Sequence, residues 1–365
     1  MKNDFASAMR RATQLVRAGN PSDATEIIQA TLGAAGLPKH NAPLEDNPAT
    51  LHRSKIGRGL RSTLAGLAAR SNTPAARGAD ATEPDLPHGA RFDSGKFTCA
   101  AGSRAYHLYI PDLKGAQPAG LILMLHGCTQ TPIDFAKGTG MNQLADAHGL
   151  IVVYPAQSRR ANMQSCWNWF TPADQMRDAG EPAILAGLVR QIQRTHDVPE
   201  GRSFVAGLSA GAAMAVIMGR TYPETFAAVG AHSGLPYKSA HDMRSAFATM
   251  GATGPSSTNA VPHPTIIFHG DADQTVHARN GQRIADDAAV PGPQMLEDGM
   301  TAGRKFTRST ALSPSGSAVV EHWTITGLGH AWSGGNKAGS YTAPTGPDAS
   351  AEMVRFFLDL PLKDA

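Results

Sequence analysis

Several things are scarce in this sequence. Aromatic residues make up 6% of its 365 positions, and cysteine occurs three times, at Cys99, Cys128 and Cys166. Those spacings match no metal-ligand pattern, and at most one pair could bond. Without further context the three thiols read as small buried hydrophobes. No apolar run approaches the roughly 20 residues that cross a bilayer. The formal charge is +3, and the whole excess lies in residues 1–90, where eleven Lys and Arg face eight Asp and Glu. A nucleic-acid partner would need a clustered basic face, so none is expected. No P-loop is present to cradle phosphates, and neither a cofactor nor a metal is expected. The opening stretch MKNDFASAMRRATQLVRAG has no continuous apolar core and no small-residue cleavage pattern. From this we expect a reduced, cytoplasmic protein.

What is abundant is turn chemistry, with 38 glycines and 25 prolines. Ala8, Met9, Ala12, Leu15 and Val16 recur at helical spacing. Gly19-Asn20-Pro21 breaks that run before a second helical stretch, so residues 1–32 read as a helical hairpin. Residues 33–90, rich in Pro, Gly, Ala, Arg and Ser, read as a linker with one short basic helix. From 91 to 365 strand-like and helix-like segments alternate. Leu121–Leu125 and Leu150–Tyr154 are continuous apolar runs, as central parallel strands require. Ile184, Leu185, Leu188 and Ile192 share one helical face. This alternation predicts an α/β fold, a mostly parallel sheet with helices on both faces.

The candidate chemistry sits at the ends of the predicted strands. Gly207-Leu208-Ser209-Ala210-Gly211 follows the strand Phe204-Val205-Ala206 and opens an apolar helix. In a sharp strand-to-helix turn the serine hydroxyl is lifted above the sheet edge, and its neighbours must be small. The turn aims the Ala210 N–H at the position of a developing oxyanion. A second such N–H is expected from Cys128, in His126-Gly127-Cys128 after the strand Leu121–Leu125; His126 itself reads as a turn residue. Asp271 and Asp273 both follow the strand Thr265–Phe268, and the spacing favours Asp273 as the acid with Asp271 in the turn. His330, in Gly327-Leu328-Gly329-His330, is the candidate base, ahead of His232, His263 and His322. The order Ser209, Asp273, His330 is that of the α/β-hydrolase fold.

At these residues the sequence resembles the polyhydroxybutyrate depolymerase family of esterases, relatives of feruloyl and acetyl xylan esterases. The resemblance is carried by LHGCTQT (125–131), SCWNWF (165–170), GLSAG (207–211), HGDADQTV (269–276), GHAWSGG (329–335) and GPDASAEMVRFF (346–357), and it spans about residues 92–360. It implies Ser209, Asp273 and His330 as a catalytic triad and Cys128 and Ala210 as oxyanion donors. It also implies ester substrates, either hydroxyalkanoate polyester and oligomers or esters on plant polymers. Trp167, Trp169 and Trp332 are expected to line the substrate pocket, with one of Trp167 and Trp169 facing the core. Cys128 and Cys166 flank these loops and could pair in an oxidising compartment. The N-terminal segment either docks on the catalytic domain or binds polymer or a storage granule. A non-catalytic binding protein on the same fold is the remaining alternative, and the intact set of three residues argues against it.

Overall fold

Five strands in which every residue is buried form the centre of the molecule: β3 (Gly120–Leu125), β4 (Leu150–Pro155), β5 (Ser203–Leu208), β6 (Ala228–His232) and β7 (Thr265–Gly270). Such sequences are stable only with both sheet faces covered, which is the condition of a parallel sheet. In the computed structural model, which describes residues 86–254, 262–314 and 316–361, they belong to one ten-stranded sheet. The hairpin expected over 1–32, and the linker over 33–90 apart from its last five residues, lie outside the described residues.

The strand order is β1-β2-β4-β3-β5-β6-β7-β10-β9-β8. Here β1 is Arg91–Cys99, β2 Gly102–Ile110, β8 Gln294–Thr301, β9 Arg304–Leu312 and β10 Ala318–Ile325. From β4 to β10 all neighbours pair parallel, and antiparallel strands extend both ends. Side chains alternate across the sheet. Leu121, Leu123 and Leu125 enter one core, and Ile122 and Met124 the other. Helix α1 (Pro132–Thr139) leads into α2 (Met141–His148), followed by α3 (Gly180–Thr195), α4 (Ala210–Thr221), α5 (Met243–Met250), α6 (Arg279–Ala288) and α7 (Ala349–Asp359). Among the described residues no helix is long and apolar enough to cross a membrane.

The predicted α/β architecture is therefore present. Helix α4 follows β5 directly and is buried along almost its entire length. Helix α1 was not expected. Thr131 caps it, accepting from the Asp134 N–H, Pro132 opens it and Gly140 ends it in the left-handed region at φ 63°. The β8–β9 hairpin was also not expected, because nearly every side chain of β8 is exposed and leaves no alternation to read.

Candidate active site

The turn after β5 has the geometry the pentapeptide predicts. Ser209 adopts φ 58° and ψ −118°, a combination that non-glycine residues avoid. The turn is held by the Ser209 N–H, which donates to the His232 carbonyl at 2.9 Å, and by close packing around its glycines. A Cβ on Gly207 would stand 2.5 Å from the carbonyl carbon of Gly211, and one on Gly211 would stand 2.0 Å from the Leu125 oxygen. Both positions thus exclude any larger residue. The same contacts put the start of α4 against the Leu125 and His126 carbonyls, just before Cys128. As the first residue of its helix, Ala210 has no intrahelical acceptor for its N–H. Among the described residues no backbone acceptor takes the Cys128 N–H.

Asp273 and His330 are brought together because β7 and β10 are parallel neighbours, so their C-terminal loops lie side by side. The Asp273 Oδ2 stands 2.7 Å from His330 Nδ1. Its Oδ1 accepts the N–H groups of Thr275 and Val276, each at 2.9 Å. Burial works to raise the Asp273 carboxyl. The His330 hydrogen bond and charge, the Val276 N–H and His269 outweigh it and hold the group down at about 2. An ionised carboxylate cannot donate, so the proton between the two groups belongs to His330 Nδ1, and in the neutral ring Nε2 is then the acceptor. Asp271 instead accepts the Gly327 N–H at 2.6 Å and ties the two loops together, the turn role expected of it. Ser209 lies two strands from β7 on the same sheet edge, without a hydrogen bond to His330; such contacts often close only when substrate binds.

Three other histidines have structural partners. His232 accepts the Ser333 N–H at Nε2, 3.0 Å away, and its ring stacks on Phe268 and Trp332. Burial, then the charges of His269 and His330, lower it to about 3. His126 accepts the Gln157 N–H at Nε2 (3.1 Å) and faces the Gly127 carbonyl through Nδ1 (2.8 Å), which fixes the loop before Cys128. His269 directs Nε2 at the Val276 carbonyl at 2.8 Å.

Two expectations need correction. All three tryptophans named for a pocket are buried in the core, not just one of the first two: Trp167 is 0% exposed, Trp332 1% and Trp169 6%. Their polar edges are used for architecture. Trp167 Nε1 donates to the His126 carbonyl at 3.1 Å, and Trp332 Nε1 to the Ser350 hydroxyl at 3.0 Å. A buried indole N–H requires a partner, and these partners lie inward. The second correction concerns the reading of all three thiols as buried hydrophobes, since each is only half-buried and one pair takes up the bond the sequence allowed. Cys128 and Cys166 form a disulfide with Cα atoms 4.2 Å apart, and only Cys99 is free. The bond fastens the loop after β3 to the loop carrying Trp167 and Trp169.

The sequence reading also missed a buried polar cluster behind the site. Glu181 Oε1 accepts from Arg104 Nη2 at 2.9 Å, from Asn168 Nδ2 at 2.9 Å and from Gln157 Nε2, while Oε2 accepts the Asn168 N–H at 2.8 Å. Burial, followed by the charge of Asp174, raises the Glu181 carboxyl despite these donors. The cluster anchors residues 157–168, and with them the disulfide loop. Its signal was present: Glu181 shares the apolar face of Ile184, Leu185 and Leu188, an unusual place for a carboxylate.

Comparison with known proteins places this geometry in context. The family model described as esterase PHB depolymerase matches residues 104–289, just over half of the chain. Poly(3-hydroxyalkanoate) depolymerase C of Paucimonas lemoignei is 35% identical over 227 residues, covering 58% of this chain and 55% of that protein. Acetylxylan esterase A of Aspergillus oryzae is 29% identical over 194 residues, covering 48% and 62% respectively. Feruloyl esterase B of Neurospora crassa is 34% identical over 134 residues, covering 36% and 44%. The chain thus spans about two-fifths to three-fifths of the length of these relatives. The solved acetyl xylan esterase from Aspergillus awamori superposes with a TM-score of 0.51 at 20% identity, covering 62% of this chain and 89% of that one, a likeness of fold.

Proposed function

Since the chain belongs to the esterase PHB depolymerase family, we propose that it hydrolyses carboxylic esters through an acyl-enzyme on Ser209. The observation that carries the proposal is the 2.7 Å contact between ionised Asp273 and His330 at the sheet edge occupied by the Ser209 turn. In this reading Ser209 Oγ attacks the ester carbonyl carbon and its proton passes to His330 Nε2. Asp273 fixes the tautomer and stabilises the resulting imidazolium. The N–H groups of Cys128 and Ala210 take the oxyanion, an effect of about 3 kcal/mol per donor. Collapse of the tetrahedral intermediate breaks the bond to the alcohol, which leaves with the proton from His330. Water, activated by the same imidazole, then releases the carboxylic acid and restores the serine.

The substrates we propose are hydroxyalkanoate polyesters or their oligomers. Support comes from the relative named as a poly(3-hydroxyalkanoate) depolymerase, of which this chain spans 55%. Esters on plant polymers form the second reading, favoured by the acetylxylan and feruloyl esterase relatives. The residues before the catalytic domain are proposed to dock on it or to engage polymer. The test is hydrolysis of p-nitrophenyl butyrate, 3-hydroxybutyrate oligomers, amorphous polyhydroxybutyrate and methyl ferulate, with Ser209→Ala as the blank. We expect Ser209→Ala to lose several orders of magnitude in rate while keeping the fold. Hydrolysis retained in the purified variant would overturn the assignment. Preference for ferulate over the hydroxybutyrate substrates would select the second reading.

A further inference from the structure

Among the described residues Tyr341 is the one aromatic side chain in ring contact with His330, and its backbone is unusual. Its φ of 53° lies in the left-handed region, which bulky residues avoid. The neighbouring chain holds it there. The Tyr341 carbonyl accepts the Trp332 N–H at 2.7 Å, and the short strand β12 (Thr342–Ala343) pairs with β11 (Trp332–Ser333). On the other side Ser340 donates its N–H to Asp134 Oδ1 at 2.9 Å and receives Gln130 Nε2 on its carbonyl at 3.0 Å. The fixed backbone delivers a half-buried side chain to the gap between the candidate base and the oxyanion loop. Its ring meets His330 edge-on, with centroids 6.4 Å apart. Its hydroxyl stands 3.4 Å from the hydroxyl of Thr129, the residue after Cys128, which is itself left-handed at φ 66°.

The hydrogen bonds around the phenol give it a role. The Thr129 hydroxyl donates its only hydrogen to the Cys128 carbonyl at 2.6 Å. In the long contact with Tyr341, Thr129 therefore accepts and Tyr341 donates. At 3.4 Å that bond is weak, so the phenolic proton is readily transferred to a better acceptor. Strained residues that surrounding structure over-determines cluster at functional sites, and two of them meet here.

Resting on the esterase reading above, we infer that Tyr341 is a specificity-determining residue whose hydroxyl donates to a second oxygen of the substrate, across two carbons from the scissile ester. In a 3-hydroxyalkanoate chain the acyl side of every ester bond carries such an oxygen, on its third carbon. A simple alkyl ester lacks it. A donor that pairs with this oxygen adds binding to the hydroxyalkanoate ester that the simple alkyl ester does not gain, and specificity is that difference.

The experiment measures kcat/KM of wild type and Tyr341→Phe, by titration of released acid, on the 3-hydroxybutyrate trimer and on ethyl butyrate. We expect the trimer-to-ethyl-butyrate ratio to fall at least about fivefold in the variant. The phenylalanine keeps the ring against His330, so a merely structural effect lowers both rates together and leaves the ratio unchanged. An unchanged ratio, with or without lower rates, overturns the inference while leaving the esterase reading standing. Wild-type protein that cleaves neither ester would instead sink that reading, and the inference with it.

Discussion

At the scale of single residues, Asp273 shows how one carboxylate is made to serve one partner. Its two oxygens are used differently. Oδ1 holds the turn through two N–H groups, and Oδ2 faces His330. Replacing Asp273 with asparagine keeps the shape and the acceptor for the turn. It puts an amide where a carboxylate accepted the Nδ1 hydrogen bond, favouring the tautomer that blocks Nε2. We expect Asp273→Asn to lower kcat/KM on p-nitrophenyl butyrate by about three to four orders of magnitude with little loss of thermal stability. A loss below about tenfold would exclude Asp273 as the partner of the base. The tryptophans make the opposite point. Position near the motifs suggested a pocket, but a large apolar ring close to a site is still most stable in the core. Only the packing of Trp332 between His232 and Phe135 reveals which use prevailed.

At the scale of elements, the site depends on how the loops at the C-terminal ends of β3, β5, β7 and β10 are fastened. The disulfide and the Glu181 cluster together fix residues 157–168 to the loop after β3. Arg104 and Glu181 are both buried, with side chains 8% and 4% exposed. Removing one member leaves an uncompensated charge, which costs more than the pair contributes. Glu181→Ala is expected to lose about 3–5 kcal/mol of stability, read from denaturant midpoints, with activity falling as the loop loosens. Adding Arg104→Ala to that variant should recover part of the loss, since the orphaned guanidinium goes too. If the double variant is less stable by the sum of the two single losses, the residues are not coupled.

At the scale of the whole molecule, the fold carries several neutral histidines in its interior. Burial, the largest cause in each case, sets His126 and His322 at about 4 and His232 at about 3. In the unfolded chain each titrates near 6.5, so between that pH and the folded value the unfolded state binds more protons. Stability is therefore present above about pH 6.5 and is lost as pH falls towards 4, by on the order of 3 kcal/mol for each such residue. Asp273 acts lower: its depressed folded value adds stability above about pH 4 that is lost as pH falls towards 2. We expect denaturant midpoints to drop steeply between pH 7 and 4.5. Equal midpoints at those two values would show that these histidines are not held neutral.

The sequence alone was enough for the α/β class, the central strands and the residues that compose the candidate site. Those features are written in local patterns: apolar runs for buried strands, and glycines where backbones must touch, as Gly207 and Gly211 do. The choice of Asp273 over Asp271 was also legible, because spacing within one turn decides which carboxylate clears it. Tertiary structure decided what depends on partners distant in the chain. Trp167, Trp169 and Trp332 became core, Cys128 found Cys166, Glu181 found Arg104 across 77 positions, and Tyr341 was set between His330 and Thr129. The physical reason is the same in each case. A side chain's environment is made by the elements the sheet order places beside it, and the order β4-β3-β5-β6-β7-β10 is a property of the assembled sheet that no local pattern contains.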